Sequence, residues 1–228
     1  MCGRFALSAK TRQIEKLVPS IKRGPDFEPR YNIAPSQKVL SVLNDDNSEL
    51  QYIRWGLIPF WSKTESIGNK LINARIETIR ERQSFRNLVK SRRCIIFADG
   101  FYEWTKNSSK TKTPYFIRLK SQETFAFAGL WDSWKNPENQ TLRTGTIITT
   151  EANELIKGIH NRMPVILPND LIPQWLSNEL FYEELIAELK EPFKADAMEM
   201  FEVSSLVNNP RNDSPLNVKE ILKTSFFE

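Results

Sequence analysis

Cys2 follows Met1 directly, and an initiator methionine is usually trimmed when the second residue is small. Trimming sets an α-amine of pKa about 7.7–8.0 beside a thiol of pKa about 8.5. Together they form a 1,2-aminothiol with a reactivity that neither group has alone. The amine condenses with an aldehyde to an imine, as lysines do in Schiff-base enzymes. The neighbouring thiolate then attacks the same carbon and closes a five-membered thiazolidine, an intramolecular step with a high effective concentration. An internal cysteine lacks the amine. The alternative reading of Met1-Cys2 is an inert cysteine in second place.

Other residues suit proton transfer and anion binding. The lone histidine, His160, sits in Ile159-His160-Asn161-Arg162-Met163-Pro164, between a helix-like segment and a strand, where functional groups concentrate. Its ordinary pKa of about 6.5 fits it to move protons at neutral pH. In Asp99-Gly100-Phe101-Tyr102-Glu103-Trp104 a carboxylate lies between aromatic rings. Desolvation there raises a carboxyl toward the general acid/base range, the alternative being an exposed Glu on a hairpin. In Leu71-Ile72-Asn73-Ala74-Arg75, Asn73 can hydrogen-bond a sugar hydroxyl or the terminal amine, and Arg75 can hold a phosphate. Phe60 and Trp61 follow Pro59 and read as a loop tip whose rings can stack on unpaired bases.

The elements that position these residues read as mostly β. Strand-like runs bounded by Gly, Pro, Asn or Ser span Lys38–Leu43, Gln51–Trp55, Cys94–Asp99, Tyr115–Leu119, Phe125–Leu130, Thr146–Thr150 and Met163–Leu167. Helical patterns cover Ala9–Leu17, Phe85–Ser91, Glu151–Lys157, Asp170–Leu176 and Phe181–Glu188, with Asp170 as an N-cap. Strands cluster rather than alternate with helices, which predicts an α+β fold. The expected architecture is one domain over residues 1–228, built on a largely antiparallel, barrel-like sheet with flanking helices.

With 40% hydrophobic and 11% aromatic residues in 228, the chain can bury a sizeable core, which argues against disorder. No run approaches the roughly 18 apolar residues of a membrane span, and the N-terminus lacks the apolar stretch of a signal peptide. A soluble cytoplasmic protein is expected. Cys94 lies in an apolar run and reads as a core residue; a cytosolic setting disfavours a disulfide with Cys2. Residues 1–150 carry 25 Lys/Arg against 14 Asp/Glu, while residues 151–228 carry 7 against 14. Seven cations and two anions fall within Asn73–Arg93, either a solvated face or a surface that tracks phosphates. No metal-ligand spacing, phosphate-binding glycine loop or dinucleotide fingerprint occurs, so no metal or other cofactor is expected. A monomer is the default.

Seven blocks in chain order carry a resemblance. They are Met1-Cys2-Gly3-Arg4-Phe5, Arg30-Tyr31-Asn32-Ile33-Ala34-Pro35, Trp55-Gly56-Leu57-Ile58-Pro59, Asn73-Ala74-Arg75-Ile76-Glu77-Thr78, Ala98-Asp99-Gly100-Phe101-Tyr102-Glu103-Trp104, Phe127-Ala128-Gly129-Leu130-Trp131 and Ile159-His160-Asn161-Arg162-Met163-Pro164. This series resembles the SRAP (SOS-response-associated peptidase) family, with a looser match beyond about residue 167. The resemblance implies a protein that binds single-stranded DNA and crosslinks to the ring-opened aldehyde of an abasic site, shielding the lesion. By motif, Cys2 is the implied nucleophile, Asn73 positions the terminus and the opened sugar, and Glu103 serves acid/base steps. His160 protonates the sugar ring oxygen. Arg4, Arg75 and Arg162 are implied phosphate ligands, and Asn32, Pro35, Phe60, Trp61 and Thr149 line the DNA path. The family name also implies self-removal of Met1, with an aminopeptidase as the other route. Two rival functions are a cysteine peptidase acting on other proteins through Cys2 and His160, and a non-catalytic single-strand-binding module.

Overall fold

Five strands close on themselves in the computed structural model, which describes residues 2–22, 24–45, 49–105, 112–178 and 182–221. The strands in chain order are β1 (Phe5–Leu7), β2 (Arg30–Ile33), β3 (Lys38–Leu43), β4 (Leu50–Trp55), β5 (Asn73–Arg75), β6 (Arg93–Ala98), β7 (Gly100–Trp104), β8 (Pro114–Leu119), β9 (Phe125–Lys135), β10 (Thr141–Glu151), β11 (Arg162–Pro164), β12 (Ile166–Leu167) and β13 (Met198–Glu202). The α-helices are short: α1 (Thr11–Leu17), α2 (Leu88–Ser91), α3 (Ile172–Leu176) and α4 (Tyr182–Glu188).

The closed ring runs β3-β4-β10-β9-β6 and back to β3. Its pairs are antiparallel except β4 with β10, and β5 also joins β10 in parallel. Burial explains the ring. Strand β6 is buried throughout, as is β9 from Phe125 to Asp132; such runs fit strands covered on both faces rather than on one. Gly129 of β9 is required by close approach. A Cβ there would stand 2.8 Å from Cys94 Sγ and 2.9 Å from the Thr146 carbonyl oxygen. Cys94 is fully buried, and neither cysteine forms a disulfide.

A second sheet of five strands, in the order β13-β8-β7-β1-β2, lies beside the ring. The N-terminal strand β1 is not at its edge. Phe5 pairs with Ile33 on one side and Phe101 on the other, and the Tyr102 amide donates to the Arg4 carbonyl at 2.9 Å. Phe5 also bridges to the ring, its side chain 5.1 Å from Trp55 and 5.7 Å from Phe127 between ring centroids. Chain termini ordinarily fray; here sheet pairing and aromatic packing hold this one down and carry Cys2 into the interior.

The α+β, barrel-based expectation agrees with this architecture. Several element boundaries need correction. Strands β9 and β10 run five and six residues beyond their expected spans, forming one long antiparallel pair from Thr141↔Lys135 to Ile147↔Gly129. The expected helix Glu151–Lys157 is a single turn instead. Asn153 Oδ1 accepts from the Ile156 amide at 3.2 Å, an N-cap bond that leaves Glu151 and Ala152 outside the turn, and its Nδ2 donates to the Phe193 carbonyl at 2.7 Å. The Ala152 amide donates to the Asn161 carbonyl, so the chain turns back there and lays β11 against β10. Asp170 is not an N-cap: it lies inside a 3-10 turn, Asn169–Leu171, that leads into α3. Phe85–Ser91 is helical only from Leu88, and Phe181 lies outside the described residues. Among the described residues, no helix is long and apolar enough to cross a membrane.

Candidate active site

The buried N-terminal strand brings Cys2 to two elements that lie far away in sequence. Asn73 opens β5, and its Nδ2 donates to the Cys2 carbonyl at 2.8 Å. Its Oδ1 is buried with no protein partner, an acceptor kept out of bulk water. Glu103 lies on β7, the strand paired to β1, and is 4% exposed. It is a buried carboxyl rather than an exposed hairpin Glu. Burial pushes its pKa up, opposed by the positive charge and hydrogen bonding of the chain's amino terminus.

Cys2 itself is fully buried. Burial, followed by the negative charge of Glu103, pushes its thiol far above the ordinary range, while the amino terminus pulls the other way. The resting thiol therefore keeps its proton at neutral pH. Glu103 is the carboxyl whose charge acts on that thiol.

His160 lies on the segment ahead of β11. Its Nδ1 accepts the Arg162 backbone N–H at 2.9 Å, so the neutral ring carries its proton on Nε2 and presents a donor there. Arg162 is 7% exposed. Its guanidinium grips Glu77 through both carboxylate oxygens, at 2.7 and 2.9 Å, and donates to the Thr149 carbonyl. Thr149 is fully buried; its hydroxyl lies 3.4 Å from the Ala74 carbonyl, between β10 and β5. Arg75, whose β5 position pairs with Thr149, is exposed and forms no salt bridge among the described residues.

The remaining sequence candidates fall into two groups. Arg4 donates to Asn32 Oδ1 and to the Val207 carbonyl, both at 2.6 Å, and its guanidinium lies 5.8 Å from the centre of the Trp104 ring. Asn32 is fully buried and its Nδ2 serves the carbonyls of Val207, Asn209 and Asn212. In the structure these two staple the C-terminal segment to β2. Pro35 opens a tight turn whose next residue, Ser36, has φ 71°, and is half-buried.

Phe60 and Trp61 are on the surface, 67% and 43% exposed. Their backbone is fixed from beneath by Asp132, a buried carboxylate that motif reading did not single out. Asp132 Oδ2 accepts the Phe60 amide at 2.9 Å, while Oδ1 accepts the Ser133 amide and an Arg92 ion pair. A cavity of about 160 Å³ beside the tip is lined by Phe60, Trp61, Gln83, Arg86, Asn87 and Asp132.

The basic run Asn73–Arg93 is split in two by the fold. Arg93 is buried, its guanidinium donating to the carbonyls of Trp175, Val89, Lys90 and Ser177, and Arg92 pairs with Asp132. Arg75, Arg80, Arg82, Arg86 and Lys90 remain exposed. Glu77 was legible only as part of the block Asn73–Thr78, and the two-residue spacing from Arg75 was its one signal.

The chain belongs to the SOS response associated peptidase (SRAP) family, whose model matches residues 1–210. It is 48% identical over 222 residues to the abasic site processing protein YoqW of Bacillus subtilis, covering 94% of this chain and 97% of YoqW. It is 32% identical over 259 residues to the abasic site processing protein HMCES of Gallus gallus, covering 94% of this chain and 76% of HMCES. A crystal structure of a protein from Bacteroides thetaiotaomicron superposes with a TM-score of 0.85 at 30% identity, covering 97% of this chain and all of that one.

Proposed function

We propose that this chain senses abasic sites in single-stranded DNA and captures them as a thiazolidine on Cys2 once Met1 has been removed. The observation that carries this reading is the meeting of buried Cys2 and Glu103 with half-buried Asn73, joined by the 2.8 Å hydrogen bond from Asn73 to the Cys2 carbonyl. Relatives named as abasic site processing proteins supply the substrate class.

The Nε2–H of His160 gives its proton to the sugar ring oxygen and takes back, through water, the proton that the anomeric hydroxyl loses, so the ring opens to an aldehyde and the imidazole ends neutral. The Cys2 amine adds to that carbon, and the carbinolamine leaves water with a proton supplied by Glu103. Glu103, now a carboxylate, takes the thiol proton as sulfur attacks the carbon of the iminium, whose nitrogen keeps its one proton and becomes the neutral ring N–H. One water is released, and one C–N and one C–S bond join protein to DNA. Self-removal of Met1 draws on the same groups: the Cys2 thiol attacks the Met1 carbonyl and passes its proton through Glu103 to the Cys2 nitrogen as the Met1–Cys2 C–N bond breaks, and water then hydrolyses the thioester to free methionine and the thiol.

A peptidase acting on other proteins needs an exposed, low-pKa thiolate beside imidazole. The fully buried Cys2 thiol, pushed up rather than down, speaks against it. The exposed aromatic tip suits unpaired bases, whose faces are open only in single strands, and the protein acts there as a monomer.

The test is a denaturing gel of Met1-free protein with single-stranded DNA bearing one abasic site. A shifted band is expected, absent when Met1 is retained. No band from correctly trimmed protein rules the reading out. Two further results are expected. Arg75→Ala weakens binding to intact single strands and reduces the slope of log affinity against log salt by about 0.7, one phosphate's worth; an unchanged slope removes Arg75 from the phosphate contacts. Phe60→Ala and Trp61→Ala each weaken single-strand binding by about 1–3 kcal/mol if a base stacks on the ring. Their melting temperatures should stay close to that of the parent, because both side chains are already exposed.

A further inference from the structure

We propose that Glu77 is a positioning residue for His160, acting through Arg162. This rests on the reading of His160 as the proton donor to the sugar. Glu77 belongs to a 3-10 turn, Ile76–Thr78, directly after β5. Its carboxylate takes both terminal nitrogens of Arg162, the fork geometry that fixes a guanidinium in orientation as well as in place. Arg162 is thereby held flat against β10, where it also donates to the Thr149 carbonyl. The backbone N–H of the same Arg162 is the donor that fills His160 Nδ1. One residue, Asn161, separates His160 from the clamp. Anything that moves the Arg162 backbone moves the ring and frees its Nδ1.

The energetics favour a strut over a phosphate ligand. The Arg162 side chain is 9% exposed against 40% for Glu77, and its Nε is buried without a hydrogen bond. Glu77 is its one ion-pair partner among the described residues. Removing the carboxylate leaves a buried cation uncompensated, a costly state that reorganisation toward water relieves. Desolvation acts to raise the Glu77 carboxyl, but the Arg162 fork and the nearby Arg75 charge hold it below its ordinary range, so the clamp is charged at neutral pH. Exposed Arg75, on the neighbouring strand, is the better placed of the two cations for a phosphate.

The lone histidine makes the test direct. In nitrogen-detected NMR of the full chain, above the pH at which the ring titrates, the imidazole signals belong to His160 alone. The parent should show the Nε2–H tautomer. Glu77→Ala should shift His160 toward mixed tautomers and slow crosslinking by roughly tenfold to a hundredfold, with affinity for intact single strands unchanged or raised. Glu77→Gln keeps the length and one acceptor and should recover part of both. An unaltered His160 spectrum in Glu77→Ala and Glu77→Gln overturns the proposal. An altered spectrum with an unaltered rate upholds the clamp and removes His160 from the rate-determining proton transfer. A parent that forms no crosslink defeats the functional reading, and the spectra still decide the clamp.

Discussion

In Met1-free protein, Cys2→Ala is expected to abolish the heat-stable adduct with abasic single-stranded DNA, by at least about a thousandfold, while borohydride still traps an imine. This substitution separates the two groups of the aminothiol. Alanine keeps the α-amine, which condenses with the aldehyde reversibly. It removes the sulfur that closes the ring, and intramolecular closure carries effective molarities of about 10⁵ M or more. Without that step the imine hydrolyses during denaturation. The fold should tolerate the change. Cys2 is fully buried, but it presents only a small side chain, and β1 is held by backbone pairing with β2 and β7. A typical cost is about 1 kcal/mol, so intact binding and a cooperative melt serve as controls. A full yield of heat-stable adduct from Cys2→Ala would falsify thiazolidine formation at this residue.

Glu103→Gln should produce opposite effects on rate and on stability. The carboxyl is pushed above its ordinary value of 4.5 by burial, so the native state holds its proton more tightly than the unfolded chain does. Its contribution to stability is complete below the unfolded value and declines as pH rises through the shifted one. Glutamine has nearly the same shape and no proton to lose. At neutral pH the variant should therefore melt higher, by about 2–4 °C for each kcal/mol regained, and the two melting curves should converge below about pH 4. Crosslinking should slow by about 10²- to 10⁴-fold, the usual contribution of a positioned acid/base, with intact single-strand affinity almost unchanged. Equal losses of rate and affinity would make Glu103 a structural residue instead. A gain in stability at the expense of rate is the usual mark of a strained functional group.

Much of the fold was legible because burial repeats along the chain. Runs such as Cys94–Asp99 and Phe125–Leu130 read as strands from their apolar and β-branched content, and both are strands. The short strands β1, β2, β5 and β7 were not identified. Each is three to five residues long, too short for periodicity to register, and each owes its conformation to partners distant in sequence. The helix expected over Glu151–Lys157 failed for the converse reason. A local pattern was present, but the Asn153 side chain and the pairing of β11 to β10 outweighed it.

At the site, the sequence by itself determined the chemical types: an aminothiol latent at Cys2, a lone imidazole, a carboxyl among aromatic rings and an amide beside a cation. Those types follow from residue identity and position. Only the tertiary structure decided their states. By threading β1 between β2 and β7 it buried Cys2 beneath Glu103, raised both groups and set Asn73 on the Cys2 carbonyl. It also sorted cations that look alike in sequence. Arg93 is buried among carbonyls, Arg162 is clamped by Glu77, Arg4 staples the C-terminal segment, and Arg75 stays open to solvent. Desolvation and ion pairing depend on which side chains meet across the fold, and a residue's neighbours in sequence do not specify them.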